Sequence, residues 1–184
     1  MTISTTTIKN SYSGNGSTSV FNYTFKITDE DHITVIIRTD STGAETTKTK
    51  TTHYTVAGVG GSSGGSVTFT SGNIPASGET VLLRRDTPQT QEMDLIENDP
   101  LPANTLETAH DKIMSVAQEV TEEIDRSIKL SKTNTMTSTE FTVGASDRAN
   151  KILAFDSSGE ISVTQELGTF KGSDATVTTA AYVQ

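Results

Sequence analysis

The sequence predicts a mainly β protein with one long helix: a small antiparallel β-sandwich, a coiled-coil-like helix, then a short C-terminal β segment. Three observations carry this. From Thr2 to about Arg85, short runs of Thr, Val, Ile, Phe and Tyr are separated by Gly, Ser and Asn, which is strand-and-turn composition. From Leu106 to about Leu130 there is no Gly or Pro, and apolar residues recur at heptad-like steps. After a Ser/Thr-rich stretch, two short apolar runs flank Asp156-Ser157-Ser158-Gly159. The implied boundaries are a sandwich over 1–87, a connector over 88–103, a helix over 104–130, a linker over 131–140 and a β segment over 141–184.

Within the first region, Phe21, Tyr23, Phe25 and Ile27 share one parity while Asn22, Thr24 and Lys26 take the other. That period of two buries one face of an extended chain and wets the other. Ile33 to Ile37 is almost continuously apolar and reads as a central strand. Lys48 to Val56 is expected to form the next one. The run Ala57 to Gly65, rich in Gly, reads as a mobile connection. Val67 and Phe69 mark a short strand, and Val81 to Arg85 another, joined through Asn73 to Gly78. Strands at this spacing without an intervening helix point to a sandwich.

Pro100 and Pro102 close off the connector to helix. Asn104 is expected to be the N-cap, with Glu107 completing a capping box. Leu106, His110, Ile113, Ala117, Val120 and Ile124 then recur at steps of three and four, and Ser127 and Ile128 continue the stripe. The stripe is narrower than the buried face of a core helix. One reading lays a single amphipathic helix across the sandwich; the other places the seam Leu106, His110, Ile113, Ala117, Val120, Ile124 and Ile128 around a symmetry axis. The second is favoured because Glu107, Asp111, Glu119, Glu122, Glu123 and Asp125 crowd the outer positions. Such a cluster is tolerable only when solvated or met by a basic partner.

In the last region, Ile152 to Phe155 and Ile161 to Val163 form a hairpin too small to bury a core of its own. It is expected to pack on the sandwich or be shared among copies of the chain. The final stretch, Ala175 to Gln184, is β-prone and suited to adding a strand to another body.

Charge and composition limit the chemistry. The 184 residues hold 14 Lys+Arg and 23 Asp+Glu, a formal net charge of -9, with no Cys and no Trp. Without Cys there is no disulfide, thiolate metal site or thiol nucleophile. The charge is concentrated: residues 1–85 sum to +1, 86–125 to -10 and 126–184 to zero. An acidic, aromatic-poor chain is a poor nucleic-acid binder, and no apolar run has the roughly 18–20 residues needed to span a bilayer. No secretory signal is visible at the start. His32, His53 and His110 lie outside metal-ligand spacing of one another. Asp29-Glu30-Asp31 and Glu97-Asn98-Asp99 lack the spacing of a calcium loop and read as turns or solvated loops. No phosphate-binding loop or serine-nucleophile motif occurs. No cofactor, metal site or catalytic group is therefore assigned.

The order of features is more specific than any one of them. Gly14-Asn15-Gly16-Ser17-Thr18-Ser19-Val20-Phe21-Asn22-Tyr23-Thr24-Phe25 is followed by Ile33 to Ile37, His53-Tyr54-Thr55-Val56, Val67-Thr68-Phe69 and Pro75-Ala76-Ser77-Gly78. Leu83-Arg84-Arg85-Asp86-Thr87-Pro88 and a helix with Ala117-Gln118-Glu119 come next. This succession, over about residues 1–130, resembles the N-terminal virion-attachment domain of tail fibres and tailspikes from T7-like short-tailed phages (podoviruses). Arg148 to Ile161 also looks like the short β units that follow that domain in many such proteins.

The resemblance implies a homotrimer whose N-terminal domains dock on the phage tail at its adaptor and nozzle proteins. It further implies helices continuing toward a fibre shaft and a distal part that meets the host surface. Family members usually run to several hundred residues. The expectation for this chain is a non-enzymatic tail fibre, or a fibre anchor to which a separate distal receptor-binding protein attaches through the C-terminal segment. A stand-alone carbohydrate-binding or adhesin-like module is the alternative. The acidic helix leads us to expect a basic face on the surrounding tail component and binding that weakens with salt.

Overall fold

The computed structural model describes residues 3–91, 93, 102–137 and 144–166. Most of the second half of the connector, including Glu97-Asn98-Asp99, and the terminal run Ala175 to Gln184 lie outside the described residues. The chain divides into two units, Met1–Lys129 and Leu130–Gln184.

The first unit is a sandwich of two antiparallel sheets followed by a helix. Its strands are β1 (Lys9–Ser13), β2 (Val20–Tyr23), β3 (Ile33–Thr39), β4 (Glu45–Thr47), β5 (Tyr54–Ala57), β6 (Gly65–Phe69) and β7 (Glu79–Arg85). One sheet has the order β1-β7-β3-β4, the other β2-β6-β5. The apolar run Ile33 to Ile37 is central as its composition predicts: β3 pairs along its length with β7, from Ile33↔Arg85 to Thr39↔Glu79, and with β4 on its other side.

The predicted alternation is what fills the core. Phe21, Tyr23, Phe25 and Ile27 are all buried, facing Val35, Ile37, Val81 and Leu83 from the other sheet. Only Val20 to Tyr23 of this run is laddered; Phe25 and Ile27 keep the same parity beyond the paired strand. Phe21 and Phe69 meet edge to face at 5.7 Å between ring centroids, a favoured aromatic geometry. Burying one such side chain is worth roughly 1.5–3 kcal/mol, and the dozen that form the core are all drawn from the sandwich.

Two expectations change here. The stretch Lys48 to His53 is a turn between β4 and β5 instead of the first half of a strand. Thr51 adopts a left-handed φ of 67°, and His53 Nδ1 accepts a hydrogen bond from the Thr49 amide at 2.9 Å. The Gly-rich run is likewise a defined turn rather than a mobile connection. Gly64 has φ of +86°, and a Cβ there would sit 1.9 Å from the Tyr23 carbonyl oxygen. Gly60 donates to the Ile27 carbonyl at 2.8 Å. Glycine is needed here for close backbone approach and left-handed geometry, not for slackness. Strand β1 carries no apolar alternation in KNSYS that would mark it in the sequence; Ile8, just before it, is buried.

Helix α1 spans Ala103–Asp125, beginning earlier and ending sooner than the predicted 104–130. Pro102 is the N-cap, with φ of -70° and no side-chain cap bond, and its carbonyl accepts from the amides of Thr105 and Leu106. The backbone is helical from Ala103, so the cap position falls on the extended Pro102 and Asn104 lies inside the first turn instead of capping it.

The second unit holds a one-turn helix α2 (Ala145–Arg148) and the predicted hairpin, β8 (Lys151–Phe155) with β9 (Ile161–Glu166). The turn between them closes through the Asp156 carboxylate, which accepts from the amides of Ser158 and Glu160.

Candidate functional site

Helix α1 has two faces, and the polar one is turned inward. Its buried residues are Asp111, Ser115 and Glu119, spaced at four residues and therefore stacked along one side. The apolar stripe faces away: Ile113 is 67% exposed, Ile124 52% and Val120 39%. Thus the helix does lie on the sandwich, as the first reading had it, but with the opposite side to the one the apolar pattern would select.

What receives the acidic side is a row of bases on the sandwich. Lys26, on the outward parity of the aromatic strand, reaches Asp111 at 2.6 Å, and the Ile3 amide donates to the other Asp111 oxygen at 3.1 Å. Arg85 is 1% exposed. Its Nε donates to Glu119 Oε1 at 2.7 Å, and its Nη2 donates to Gln118 Oε1 at 2.6 Å and to the Ser115 carbonyl. Thr87 donates to both Glu119 oxygens, through its hydroxyl at 2.8 Å and its amide at 2.9 Å. Glu119 thereby accepts three hydrogen bonds in a buried setting, which is how a buried charge is kept tolerable. At the helix end, Lys9 meets Glu122 at 2.6 Å and Arg84 meets Glu123 at 3.0 Å. Gln118 returns a bond to the Thr5 carbonyl at 3.0 Å.

The sequence landmarks Arg84-Arg85-Asp86-Thr87-Pro88 and Ala117-Gln118-Glu119 are therefore partners in one clasp. Part of the basic counterpart expected on a surrounding tail component is thus present in the chain's own sandwich, where Lys26, Arg85, Lys9 and Arg84 meet Asp111, Glu119, Glu122 and Glu123.

Glu122 makes the clasp sensitive to pH. Burial pushes its carboxyl up, but hydrogen bonds and charge from Lys9 and Arg126 outweigh that and hold it below the ordinary 4.5. Arg84 Nη2 faces it as well, at 3.7 Å. A depressed folded value means the stabilisation is complete above the unfolded pKa and disappears as pH falls through the folded one. Amide exchange in α1, corrected for intrinsic rate, is expected to accelerate ahead of exchange in β7 below about pH 4.5. Loss of protection in α1 and β7 at one common pH would show that the clasp is not the acid-labile part.

The other predicted seam residues are placed as follows. Leu106 is half-buried, and His110 and Ala117 are exposed. Ile128 lies past the helix end at Asp125 and is fully exposed, so the stripe on α1 stops at Ile124. Met114, half-exposed beside Ile113, widens it. A groove of about 680 Å³ runs between connector residues Pro88 to Gln91 with Met93 and the helix side bearing Thr108, Lys112 and Val116. His32 is buried in a 3-10 turn, its Nδ1 3.1 Å from the Thr28 hydroxyl. The neighbouring acids follow the turn reading: Asp29 caps Glu30–His32, and Lys50 pairs with Glu30 and Asp31. Among the described residues no group of three or more His, Asp or Glu is placed to hold a metal.

Comparison with known proteins gives this geometry a context. A sequence profile of the phage T7 tail fibre protein, N-terminal domain, matches residues 1–138, three quarters of the chain. The chain belongs to the T7 tail fibre N-terminal domain family. Over 120 residues it is also 37% identical to a tail spike protein of Salmonella phage epsilon15, a stretch amounting to 65% of this chain and 11% of that relative. The chain thus spans about a tenth of that relative's length. As a member of this family it is a structural component of the virion tail. The matched residues 1–138 take in the whole sandwich, the clasp and α1, so the clasp lies within the T7 tail fibre domain itself.

Proposed function

We propose that this chain forms a homotrimer that anchors a tail fibre to the phage tail, docking on the adaptor and nozzle proteins and supporting host-cell recognition and adsorption. The observation that carries this is the orientation of α1. Its polar face is committed to the sandwich of the same chain, which leaves Ile113, Val120 and Ile124 facing water at heptad-like spacing. Apolar stripes of this kind are covered by other helices, and copies of the same stripe around an axis are the simplest cover. The sandwiches then surround a central helical bundle, each leaning on its own helix, with their turns free to meet the tail.

The chain is read as non-enzymatic. That rests on the sequence, which lacks nucleophile and metal-ligand motifs, and on the structural character of the family. Turnover of a host-surface glycan by the purified chain would overturn it. Sedimentation equilibrium tests the assembly: three chain masses are expected at micromolar concentration. A monomer would favour the stand-alone sugar-binding module instead.

A further inference from the structure

We propose that the clasp contains a binding site for one water molecule, which accepts from Arg85 Nη1 and joins α1, β7 and the 3-10 turn before β3. The Arg85 guanidinium carries five N–H donors. Nε gives its one to Glu119, and Nη2 gives to Gln118 Oε1 and to the Ser115 carbonyl. Nη1 meets no acceptor among the described residues, although it is buried and Arg85 as a whole is 1% exposed. A charged donor buried without an acceptor is costly, and native structures answer such groups with protein or with ordered water.

The room for an answer lies beside it. Arg85 lines a cavity of about 10 Å³ together with Lys26, Thr28, His32, Asp111 and Ser115. That is about the volume a single water needs and too small for an organic ligand. The charges argue against a bare ion: Lys26 and Arg85 repel a cation, while Asp111 and the Glu119 bonded to Arg85 repel an anion. Water alone both accepts and donates. It takes a proton from Nη1 and offers its own to the wall. Each Asp111 oxygen accepts once, from the Ile3 amide and from Lys26, and a carboxylate has about four lone-pair sites. The Thr28 and Ser115 hydroxyls are further acceptors. A site with two to four polar partners of this kind is what holds a buried water. Thr28 and His32 bracket the turn, Asp111 and Ser115 stand on α1, and Arg85 ends β7. One molecule therefore ties three elements together. The site lies within a single chain, so it is independent of the trimeric reading.

A crystal structure of the full-length protein, grown with bromide as the only halide and at a resolution that orders waters, tests the site. One peak without anomalous signal is expected in the cavity. It should lie about 2.7–3.2 Å from Arg85 Nη1 and within hydrogen-bond reach of Asp111, Thr28 or Ser115. A bromide peak at that position would make it an anion site and overturn the proposal. A cavity without density overturns it too, as does Nη1 turned directly onto a protein acceptor.

Discussion

Replacing Arg85 by Ala is expected to destabilise the first unit by about 3–5 kcal/mol, the cost of breaking a buried ion pair by removing one partner. The guanidinium is 1% exposed and its Nε lies 2.7 Å from Glu119. Without it Glu119 keeps the two Thr87 donors but is left as a buried charge with no counter-ion. Replacing both ends should undo only part of the damage: Arg85→Leu with Glu119→Leu removes the unpaired charge, but the Thr87 amide and hydroxyl lose their acceptor, at about 1–3 kcal/mol for each buried donor left unpaired. Arg84→Ala provides the contrast. Its partner Glu123 is 59% exposed, and such pairs contribute about 0–1 kcal/mol. Urea unfolding with unchanged slope measures all three. A loss below about 1 kcal/mol for Arg85→Ala would show that the clasp does not hold the helix.

The clasp was half visible in the sequence. Val81, Leu83 and Arg85 share one parity on β7, and the burial of the strand follows it, so period-two reasoning already puts Arg85 inside. Asp111, Ser115 and Glu119 are as regular at four-residue steps as the apolar stripe, yet an acidic stripe ordinarily means a wet face. Only the long-range pairing of Glu119 with Arg85, 34 residues apart in sequence, turns it into a buried one, and no local pattern encodes that. The uneven charge hinted at it: a -10 segment follows directly on one that carries seven bases.

The sandwich was easier to read because its signals are local. Alternating aromatics in Phe21 to Ile27 and the apolar run Ile33 to Ile37 specify burial without reference to distant residues. The failures lie where backbone conformation decides. Thr51 takes a left-handed φ that its side chain does not advertise, and Gly64 is fixed by the carbonyl of Tyr23, 41 positions away. The helix entrance differs for the same kind of reason: the backbone is already helical from Ala103, so the extended Pro102 stands at the cap position expected for Asn104.

Ile113→Asp together with Val120→Asp is expected to convert the proposed trimer to monomer while leaving the urea midpoint of the sandwich close to wild type. The two effects separate because the two faces of α1 have different partners. Ile113 and Val120 are 67% and 39% exposed, so within one chain the new carboxylates stay in water and the clasp is untouched. At a symmetry axis the same carboxylates would be buried and brought together. Two in each of three chains make six; even at about 1 kcal/mol apiece, ~6 kcal/mol lowers the association constant by roughly four decades. Arg85→Ala should do the reverse, weakening the fold of each chain without adding any charge to the seam. Sedimentation and urea unfolding on both variants make the comparison. A trimer that survives the double Asp substitution would place the assembly surface elsewhere on the chain, and the apolar stripe would then be left to cover a different partner.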